Sequence, residues 1–210
     1  MPPSYCYQYP RPQVTVDLVV FCFFDRHLRT LLIRRGRDPF AGEWALPGGF
    51  LEIDEPVEAA ARRELKEETG LEIPGPIEPI GFFGDPGRDP RGRTITLAHA
   101  AVLPGGEHEI QGADDAAEAA WIRVGVPIEL AFDHAEILAE ALAWLKEGVV
   151  REDLGLRLLP ATFDTRDARN LYQALGLSSL HARGWLRKSI RSGRLQALAE
   201  NRFQVVDPAR

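Results

Sequence analysis

The chain has 210 residues, carries a formal net charge of −6 and is 45% hydrophobic, which is enough for a substantial buried core. This length exceeds that of one ordinary domain and predicts up to about two. No long apolar run occurs and the N-terminus lacks a secretory signal pattern, so we expect a soluble, cytoplasmic protein with no membrane partner. Two cysteines, Cys6 and Cys22, are too few for a disulfide framework.

Charge is distributed unevenly along the chain. Residues 155–210 hold ten Lys and Arg against four Asp and Glu, a net charge of +6. Residues 1–154 hold fifteen against twenty-seven, a net charge of −12. Two parts of opposite charge indicate that the chain performs two different tasks.

The first 35 residues predict an extended arm followed by a hairpin. Residues 1–12 include four prolines and three tyrosines, a composition too interrupted for a helix or a central strand. Residues 14–24 are rich in β-branched and aromatic side chains and predict a strand. A turn at 25–28 and a second strand at 30–35 complete the hairpin.

A helix is predicted from Pro56 to Thr69. Proline is favoured at the first helical position, and Gly70 supplies the left-handed residue that commonly follows a helix. Three carboxylates then lie on one helix face within a single turn, those of Glu64, Glu67 and Glu68. Such crowding is unfavourable unless a cation neutralises it, and all-oxygen ligands suit Mg²⁺ or Mn²⁺. A solvated acidic helix face is the alternative.

The residues around this helix follow a longer pattern. Counting from Gly49, the segment GFLEIDEPVEAAARRELKEETGL reproduces G-x5-E-x7-R-E-U-x-E-E-x-G-U in full, where U is aliphatic. This pattern is the Nudix box, and the segment resembles the loop and helix of the Nudix hydrolases. That family cleaves nucleoside diphosphates linked to another moiety.

The resemblance implies a role for each matching residue. Glu67 and Glu68 become metal ligands, and Glu64 becomes a further ligand or the base that activates water. Gly48, just before the box, lends its backbone carbonyl to the metal, and Arg63 holds a glutamate in place. The implied catalytic residues are Arg63, Glu64, Glu67 and Glu68, and the implied metal ligands are Gly48, Glu64, Glu67 and Glu68. The implied cofactor is Mg²⁺ or Mn²⁺, which would shield the diphosphate and activate water.

Four further segments, YPRPQVTVDLVVF, PFAGEWALPGGF, RDPRGR and FDHAEIL, resemble one branch of the family. This branch contains the ADP-ribose pyrophosphatases and the Nudix-related transcriptional regulators of NAD metabolism. The resemblance implies a nucleoside diphosphate substrate or effector, with ADP-ribose cleaved to AMP and ribose 5-phosphate. It also implies a homodimer.

Candidate substrate-binding residues lie in two loops. Arg35 follows the first hairpin, and Arg88 and Arg91 lie in the Gly, Pro and Arg-rich loop 84–93, between a strand ending near 83 and a strand at 94–103. Arginines near a metal site would bind phosphates, although a solvated hairpin tip is the alternative. Trp44 is either a core anchor or a base-stacking platform.

An additional carboxylate is often recruited by Nudix enzymes from a later loop. Here the loop offers Glu107 and Glu118 as candidates, with Glu109, Asp114 and Asp115 beside them. Asp133 and Glu136 form a capping box, and a second helix is predicted over 135–147, ended by Gly148.

A linker is predicted at 148–154, and beyond it residues 155–210 predict a small winged-helix unit. Residues 156–160 read as a strand. Asp164 caps a helix that ends near Leu175, and Ser178 or Ser179 caps a second helix that ends at Arg191. A short hairpin follows.

The basic residues of the second of these helices predict that it contacts duplex DNA. It displays basic side chains in a basic unit, the arrangement of a recognition helix, and it resembles the C-terminal winged helix of the regulators. Its proposed DNA-binding residues are Arg183, Arg187, Lys188 and Arg191, and its proposed buried side is Leu180, Trp185, Leu186 and Ile190. A solvated basic helix and a dimerisation element are the alternatives.

We therefore predict an α/β Nudix fold, with a mixed β-sheet sandwiched between helices over 13–147, followed by a small winged-helix unit. The leading function is metal-dependent hydrolysis of ADP-ribose. The alternative is a DNA-binding regulator that senses ADP-ribose or a related nucleotide, and a protein with both functions is compatible with the sequence. The intact box favours hydrolysis, because a pure sensor has no need of every catalytic carboxylate.

Overall fold

The computed structural model describes residues 7–111, 116–151, 153–198 and 201–206. Within these ranges, no helix combines the length and apolar character needed to cross a bilayer. The elements up to residue 151 are β1 (Gln13–Phe24), β2 (His27–Arg35), β3 (Trp44–Ala45), β4 (Gly48–Phe50), α1 (Val57–Thr69), β5 (Glu78–Phe83), β6 (Thr94–Val102), β7 (Ala116–Arg123) and α2 (His134–Arg151). The later elements are α3 (Leu154–Leu158), β8 (Thr162–Asp164), α4 (Thr165–Ala174), α5 (Ser179–Arg191), β9 (Leu195–Ala197) and β10 (Arg202–Val205).

The strand β1 is the centre of a mixed sheet of seven strands. It runs parallel to β6 on one side, and on the other it pairs antiparallel with β2 along one half and with β4 along the other half. The pairing of β4 places Gly48 opposite Asp17. The central strand therefore carries the start of the Nudix box directly on the sheet.

Alternation along β1 separates the two faces of this sheet. Val16, Leu18 and Val20 face α1, whereas Phe21 and Phe23 pack with the cluster that contains α2. Successive side chains of a strand point to opposite faces, so one apolar strand buries both helices. The predicted sheet between helices is confirmed.

The helix α2 is longer than predicted. It continues through Arg151, so the stretch predicted as a linker at 148–154 is largely helical. Gly148 does not end the helix but lies inside it. A Cβ at this position would be 2.2 Å from the Leu154 side chain. The glycine permits close packing, which local sequence patterns do not distinguish from helix termination.

The strand predicted at 156–160 is wrong. Residues Leu154–Leu158 form the short helix α3, and its leucines are buried. Leu159 then takes an extended conformation, as expected for a residue that precedes a proline. The strand of this region lies later, at Thr162–Asp164.

The remaining C-terminal elements agree with a winged helix. Asp164 caps α4 by accepting hydrogen bonds from the Arg166 and Asp167 N–H groups, and the Asp167 carboxylate accepts one from the Asp164 N–H. Two helices then precede a hairpin, and the three short strands form one antiparallel sheet in the order β8, β10, β9. This arrangement brings Phe163 opposite Phe203.

The C-terminal unit shares a hydrophobic core with the sheet. One cluster of buried side chains extends from Phe21 and Leu145 to Leu158, Leu171 and Trp185. A polar contact joins the same two parts, since the Arg26 guanidinium pairs with Asp164 at 3.1 Å and with Asp167 at 3.0 Å. The Arg26 carbonyl also accepts a hydrogen bond from Asn170. The two parts are therefore packed as one body.

A substitution at Gly105 tests this shared packing. A Cβ at Gly105 would lie 2.3 Å from the Pro160 nitrogen and 2.5 Å from the Leu159 carbonyl carbon, both backbone atoms. We expect Gly105→Ala to lower the free energy of unfolding by about 1–3 kcal/mol, because the backbone must shift to admit the methyl group. Urea unfolding followed by circular dichroism measures this change.

Gly184→Ala is the matched control. This glycine lies within α5 and an added Cβ would meet no atom within 4 Å. Alanine should therefore stabilise the helix, by up to about 1 kcal/mol. Equal effects of the two substitutions would contradict the tight contact at Gly105.

Candidate active site

The helix α1 forms as predicted from its sequence. It spans Val57–Thr69 after Pro56, and Gly70 adopts the left-handed conformation with φ of 69° while its N–H donates to the Lys66 carbonyl. Ala60, Ala61 and Leu65 are buried against the sheet. The side of the helix that carries the acidic residues is left to face a cleft.

Arg63 is the centre of a carboxylate cluster at this cleft. Its guanidinium binds both oxygens of Glu55, with NH2–Oε1 and Nε–Oε2 distances of 2.6 and 3.0 Å. The same group donates to Glu64 at 2.8 Å and to Glu67 at 3.0 Å. It also reaches the Phe50 carbonyl at 3.1 Å. One arginine therefore holds three glutamates and the loop before the helix, whereas the resemblance implied that it holds one glutamate in place.

Glu68 is held separately from the other carboxylates. Its side chain is buried, and its Oε2 accepts a hydrogen bond of 2.9 Å from the Gly48 N–H. Gly48 admits no side chain, since a Cβ would be 2.2 Å from the Val16 carbonyl oxygen. At Gly49 a Cβ would lie 2.4 Å from the Glu64 carboxylate. These two glycines let the backbone approach the carboxylates closely.

The cluster raises the pKa of two of its members. Burial raises the pKa of Glu68 to about 8, and the neighbouring Glu64 adds to this effect. Burial likewise raises the pKa of Glu64. In contrast, the hydrogen bonds from Arg63 lower the pKa of Glu55. Burial therefore makes the ionised forms of Glu64 and Glu68 less favourable than they are in water, and a cation beside them would favour those forms.

A cleft of about 360 Å³ opens over this cluster. That volume suits a small organic ligand. The residues that line it come from β1, β2, the segment 46–52, α1, the loop 84–93 and the start of α2. They include Asp17, Arg35, Gly48, Gly49, Phe50, Glu52, Arg63, Glu64, Glu67, Glu68, Arg88, Asp89, Arg91, Phe132 and His134.

A buried ion network lies at the floor of the cleft. The Arg88 side chain is only 4% exposed and binds both oxygens of Asp133, at 2.6 and 2.7 Å. It also lies 3.6 Å from Asp17, and Asp17 lies 3.5 Å from the His134 ring. Asp133 was predicted to act in a capping box, but its carboxylate is directed to Arg88. We therefore assign Arg88 to the architecture of the cleft.

The wall of the cleft is a row of aromatic and guanidinium groups. The Arg91 guanidinium carbon lies 5.1 Å from the Phe50 ring and 5.7 Å from the Phe132 ring. The Arg35 guanidinium carbon lies 4.9 Å from the Phe132 ring. Asp89 holds Arg91 in place, and although burial opposes it, the Arg91 hydrogen bonds lower the pKa of Asp89. Arg35 and Arg91 thus present positive charge to the cleft.

Trp44 packs against the main hydrophobic cluster, which favours the core anchor over the stacking platform. Glu107 is exposed in the loop after β6, and Glu118 on β7 lies 3.7 Å from Arg34. The cleft described above is lined by neither of these glutamates. Two other loop candidates, Asp114 and Asp115, lie outside the described residues.

Sequence reasoning missed four cleft residues, Asp17, Phe50, Phe132 and His134. Asp17 was detectable as the single charged residue of β1, whose residues from Val16 to Phe24 are otherwise apolar, since such a charge requires a buried partner. His134 and Phe132 belong to the FDHAEIL segment, which was matched to a family without a role for either side chain. Phe132 also has a positive φ of 55°, a strained conformation for an aromatic residue.

The residues of the cluster suit a hard divalent cation in chemistry and charge. Their donors are carboxylate oxygens, and burial raises the pKa of two of these carboxylates, those of Glu64 and Glu68. As the side chains stand, no three His, Cys, Asp or Glu among the described residues are grouped closely enough to hold an ion. Arg63 holds Glu64 and Glu67 instead, so metal binding requires these two side chains to turn.

A second surface lies on α5. The four predicted DNA-binding side chains are exposed, and three of them line a shallow groove with Gly184 and Ser192. The buried side of the helix differs in part from the prediction. Trp185 and Leu186 are buried with Ala182 and Ser189, whereas Leu180 is 73% exposed. Ile190 is also exposed, because the inward face of the helix follows the 182, 185, 186 and 189 positions.

Comparison with known proteins agrees with this geometry. Residues 12–145 match the NUDIX domain. Over 207 residues the chain is 31% identical to the ADPR responsive transcriptional repressor NtrR of Acinetobacter baylyi, which covers 96% of this chain and 81% of that protein. It is 41% identical over 136 residues to the ADP-ribose pyrophosphatase of Methanocaldococcus jannaschii, which covers 65% of this chain and 76% of that protein.

A solved structure extends the similarity of fold to the C-terminal unit. Shewanella oneidensis NrtR, in a crystal structure with a 27mer DNA, superposes with a TM-score of 0.72 at 24% identity and covers 91% of each chain. At that identity the comparison shows a common fold. With the intact box, the carboxylate cluster and the domain match, the chain belongs to the Nudix hydrolase family.

Proposed function

We propose that the protein is a divalent-metal-dependent hydrolase that cleaves ADP-ribose to AMP and ribose 5-phosphate. The observation that carries this proposal is the carboxylate cluster of Glu64, Glu67 and Glu68 at a cleft whose wall presents Arg35 and Arg91. Nudix enzymes use a divalent metal, and the archaeal relative named above is an ADP-ribose pyrophosphatase. The cleft pairs an acidic end with a basic wall, as a metal-bound diphosphate requires.

The residues of the chain have separate tasks in this reaction. A bound Mg²⁺ or Mn²⁺ would shield the diphosphate charge and lower the pKa of the attacking water. Glu64, Glu67, Glu68 and the Gly48 carbonyl are the groups that would hold it. Arg63 keeps the carboxylates together in the absence of a cation and would then remain with Glu55, its strongest partner. Water attacks one phosphorus, and the other phosphate leaves with its nucleoside or ribose.

Arg91 is the side chain best placed to bind the diphosphate. Its guanidinium is 39% exposed at the cleft, fixed by Asp89 below and by the two phenylalanine rings beside it. An arginine fixed in this way loses less conformational entropy when it binds a phosphate. Arg35 faces the other side of the Phe132 ring.

We propose DNA binding as a second function, carried by the exposed basic face of α5. Residues 155–210 hold a net charge of +6 on an otherwise acidic chain. The relative that covers 96% of this chain is a transcriptional repressor, and the NrtR structure contains DNA. In a winged helix the second helix commonly enters the major groove, and α5 holds that position here. Repression controlled by ADP-ribose would require that the ADP-ribose-bound and ADP-ribose-free forms of the protein bind DNA with different affinities.

Glu68→Gln tests the metal site. The substitution removes a ligand charge and changes little volume, so we expect the rate of ADP-ribose hydrolysis with saturating Mg²⁺ to fall about a hundredfold or more. Glu58→Gln is the control, because Glu58 lies on the same helix in an exposed pair with Arg62. A Glu68→Gln variant as active as the parent would remove Glu68 from the site.

Without metal, Glu68→Gln should increase folding stability at neutral pH, although it lowers activity. The pKa of Glu68 in the folded state is about 8, above its ordinary value. The contribution of Glu68 to folding stability is therefore complete at acid pH and is lost as pH rises toward 8. Glutamine does not titrate. Melting temperatures in EDTA should therefore favour the variant increasingly from pH 5 to pH 8, which separates loss of catalysis from loss of fold.

Arg91→Ala should change substrate binding, whereas Arg88→Ala should mainly change folding stability. We expect Arg91→Ala to raise KM for ADP-ribose about tenfold, because a guanidinium that binds phosphate is lost, and also to lower the melting temperature, because the buried Asp89 loses its side-chain partner. Arg88→Ala leaves Asp133 and Asp17 without their buried partner and should cost about 3–5 kcal/mol of folding stability. Arg93→Ala, on the same loop but exposed, is the control for both. Unchanged KM in Arg91→Ala would show that the loop does not bind substrate.

Duplex DNA binding is tested by its salt dependence. We expect the affinity to fall steeply with salt, because phosphate contacts release counterions. If Arg187 and Lys188 both contact phosphates, replacing them by alanine should reduce the slope of log K against log salt by about two. Arg123→Ala, an exposed arginine of β7, should leave the slope unchanged. Absence of binding to any duplex at low salt, including the protein's own promoter region, would refute the second function.

A further inference from the structure

The segment between β3 and β4 places Gly48 at the carboxylate cluster, and three hydrogen bonds fix it. The Leu18 N–H donates to the Pro47 carbonyl at 2.9 Å. The Gly48 N–H donates to Glu68 at 2.9 Å. The Leu46 N–H donates to Nδ1 of His134, also at 2.9 Å. The third bond is the only one of these that uses a side chain from outside the sheet and the box.

The Leu46 contact determines the state of the imidazole. Because a backbone N–H is the donor, Nδ1 of His134 must be the acceptor and carries no proton. The ring proton is then on Nε2, which lies 3.5 Å from Oδ1 of Asp17. Burial lowers the pKa of His134 and so favours this neutral form. Asp17 is in turn 3.6 Å from Arg88, so the ring is hydrogen-bonded at Nδ1 and lies beside a paired carboxylate at Nε2.

Packing gives the ring little freedom to leave this position. His134 is 4% exposed and Leu46 is 1% exposed. The Phe132 ring lies 5.2 Å from the imidazole, centroid to centroid. Gly48 is confined as well, since a Cβ there would lie 2.7 Å from Oδ1 of Asp17. A displacement of the Leu46 peptide would therefore move Gly48 relative to Glu68.

We propose that His134 is a positioning residue for the metal site, holding the Leu46–Gly48 segment so that the Gly48 peptide stays against Glu68. The proposal rests on the proposed function, in which Gly48 and Glu68 hold a divalent cation. His134 acts through the backbone of Leu46 and takes no proton from water or substrate. Side chains that orient the groups around a metal commonly change metal affinity or activity by about 10-fold to 100-fold when removed.

The test compares His134→Leu with His134→Asn. Leucine leaves the Leu46 N–H without an acceptor, whereas the asparagine carbonyl can accept at the position of Nδ1. We measure Mn²⁺ binding to the full chain by titration calorimetry, and separately kcat and KM for ADP-ribose. His134→Leu should weaken Mn²⁺ binding and lower kcat by about 10-fold or more, with KM changed by less than about threefold. His134→Asn should recover most of both losses.

His99→Leu is the matched control. His99 is also buried, but it lies on β6 with its ring bonded to the Leu97 carbonyl. This variant should bind Mn²⁺ as the parent does. If His134→Leu does not fold, hydrogen exchange of the Leu46 amide still reports on the contact. The amide should stay protected in His134→Asn and exchange faster in His134→Gln, whose carbonyl lies at the position of Nε2. Protection in His134→Gln equal to the parent's overturns the proposal.

The outcomes separate this proposal from the proposed function. If the parent protein binds Mn²⁺ but hydrolyses no ADP-ribose, the function is refuted while the Mn²⁺ affinities of the variants still decide the role of His134. A folded His134→Leu variant with parental Mn²⁺ affinity overturns the proposal. A raised KM with unchanged Mn²⁺ affinity also overturns it, because His134 would then contact the substrate itself.

Discussion

The crowding of carboxylates at one face of α1 is the constraint on which the rest of the site depends. Glu64 and Glu68 are buried enough to raise the pKa of each, which makes their ionised forms costly in the absence of a cation. The hydrogen bond from Arg63 reduces this cost for Glu64, and the hydrogen bond from the Gly48 N–H reduces it for Glu68. The carboxylates thus form an unfavourable arrangement of charge, which a bound divalent cation would stabilise. Functional sites are commonly less stable than other parts of a protein for this reason.

The second constraint is the ion network below the cluster. Asp17 is fixed on the central strand, and Arg88 and His134 are brought to it from a later loop and from the start of α2. The network joins three elements that are distant in sequence, and its members have few alternative partners because they are buried. It therefore shapes the cleft without displaying its own charge to a ligand, which leaves Arg35 and Arg91 for that task.

The C-terminal unit is attached through apolar packing as much as through the chain itself. The helix α2 starts with His134 at the cleft and ends at Arg151, and its Gly148 lies against Leu154 of α3. Beyond it, Gly155 lies against Trp185 of α5, the helix that presents the basic surface. A continuous series of close contacts thus links the proposed metal site to the proposed DNA surface. A packed connection of this kind is one physical route by which two binding sites can be coupled.

The sequence alone determined what depends on local spacing. The helix over Val57–Thr69, its glutamate face and the loop at 84–93 follow from periodicity, capping and glycine, and these act within a few residues. The tertiary structure decided what depends on partners far apart in the chain, such as Arg88 with Asp133 across 45 positions and Leu46 with His134 across 88. Whether an arginine faces a ligand or a buried carboxylate depends on which side chains the fold brings beside it, and no local pattern records that choice.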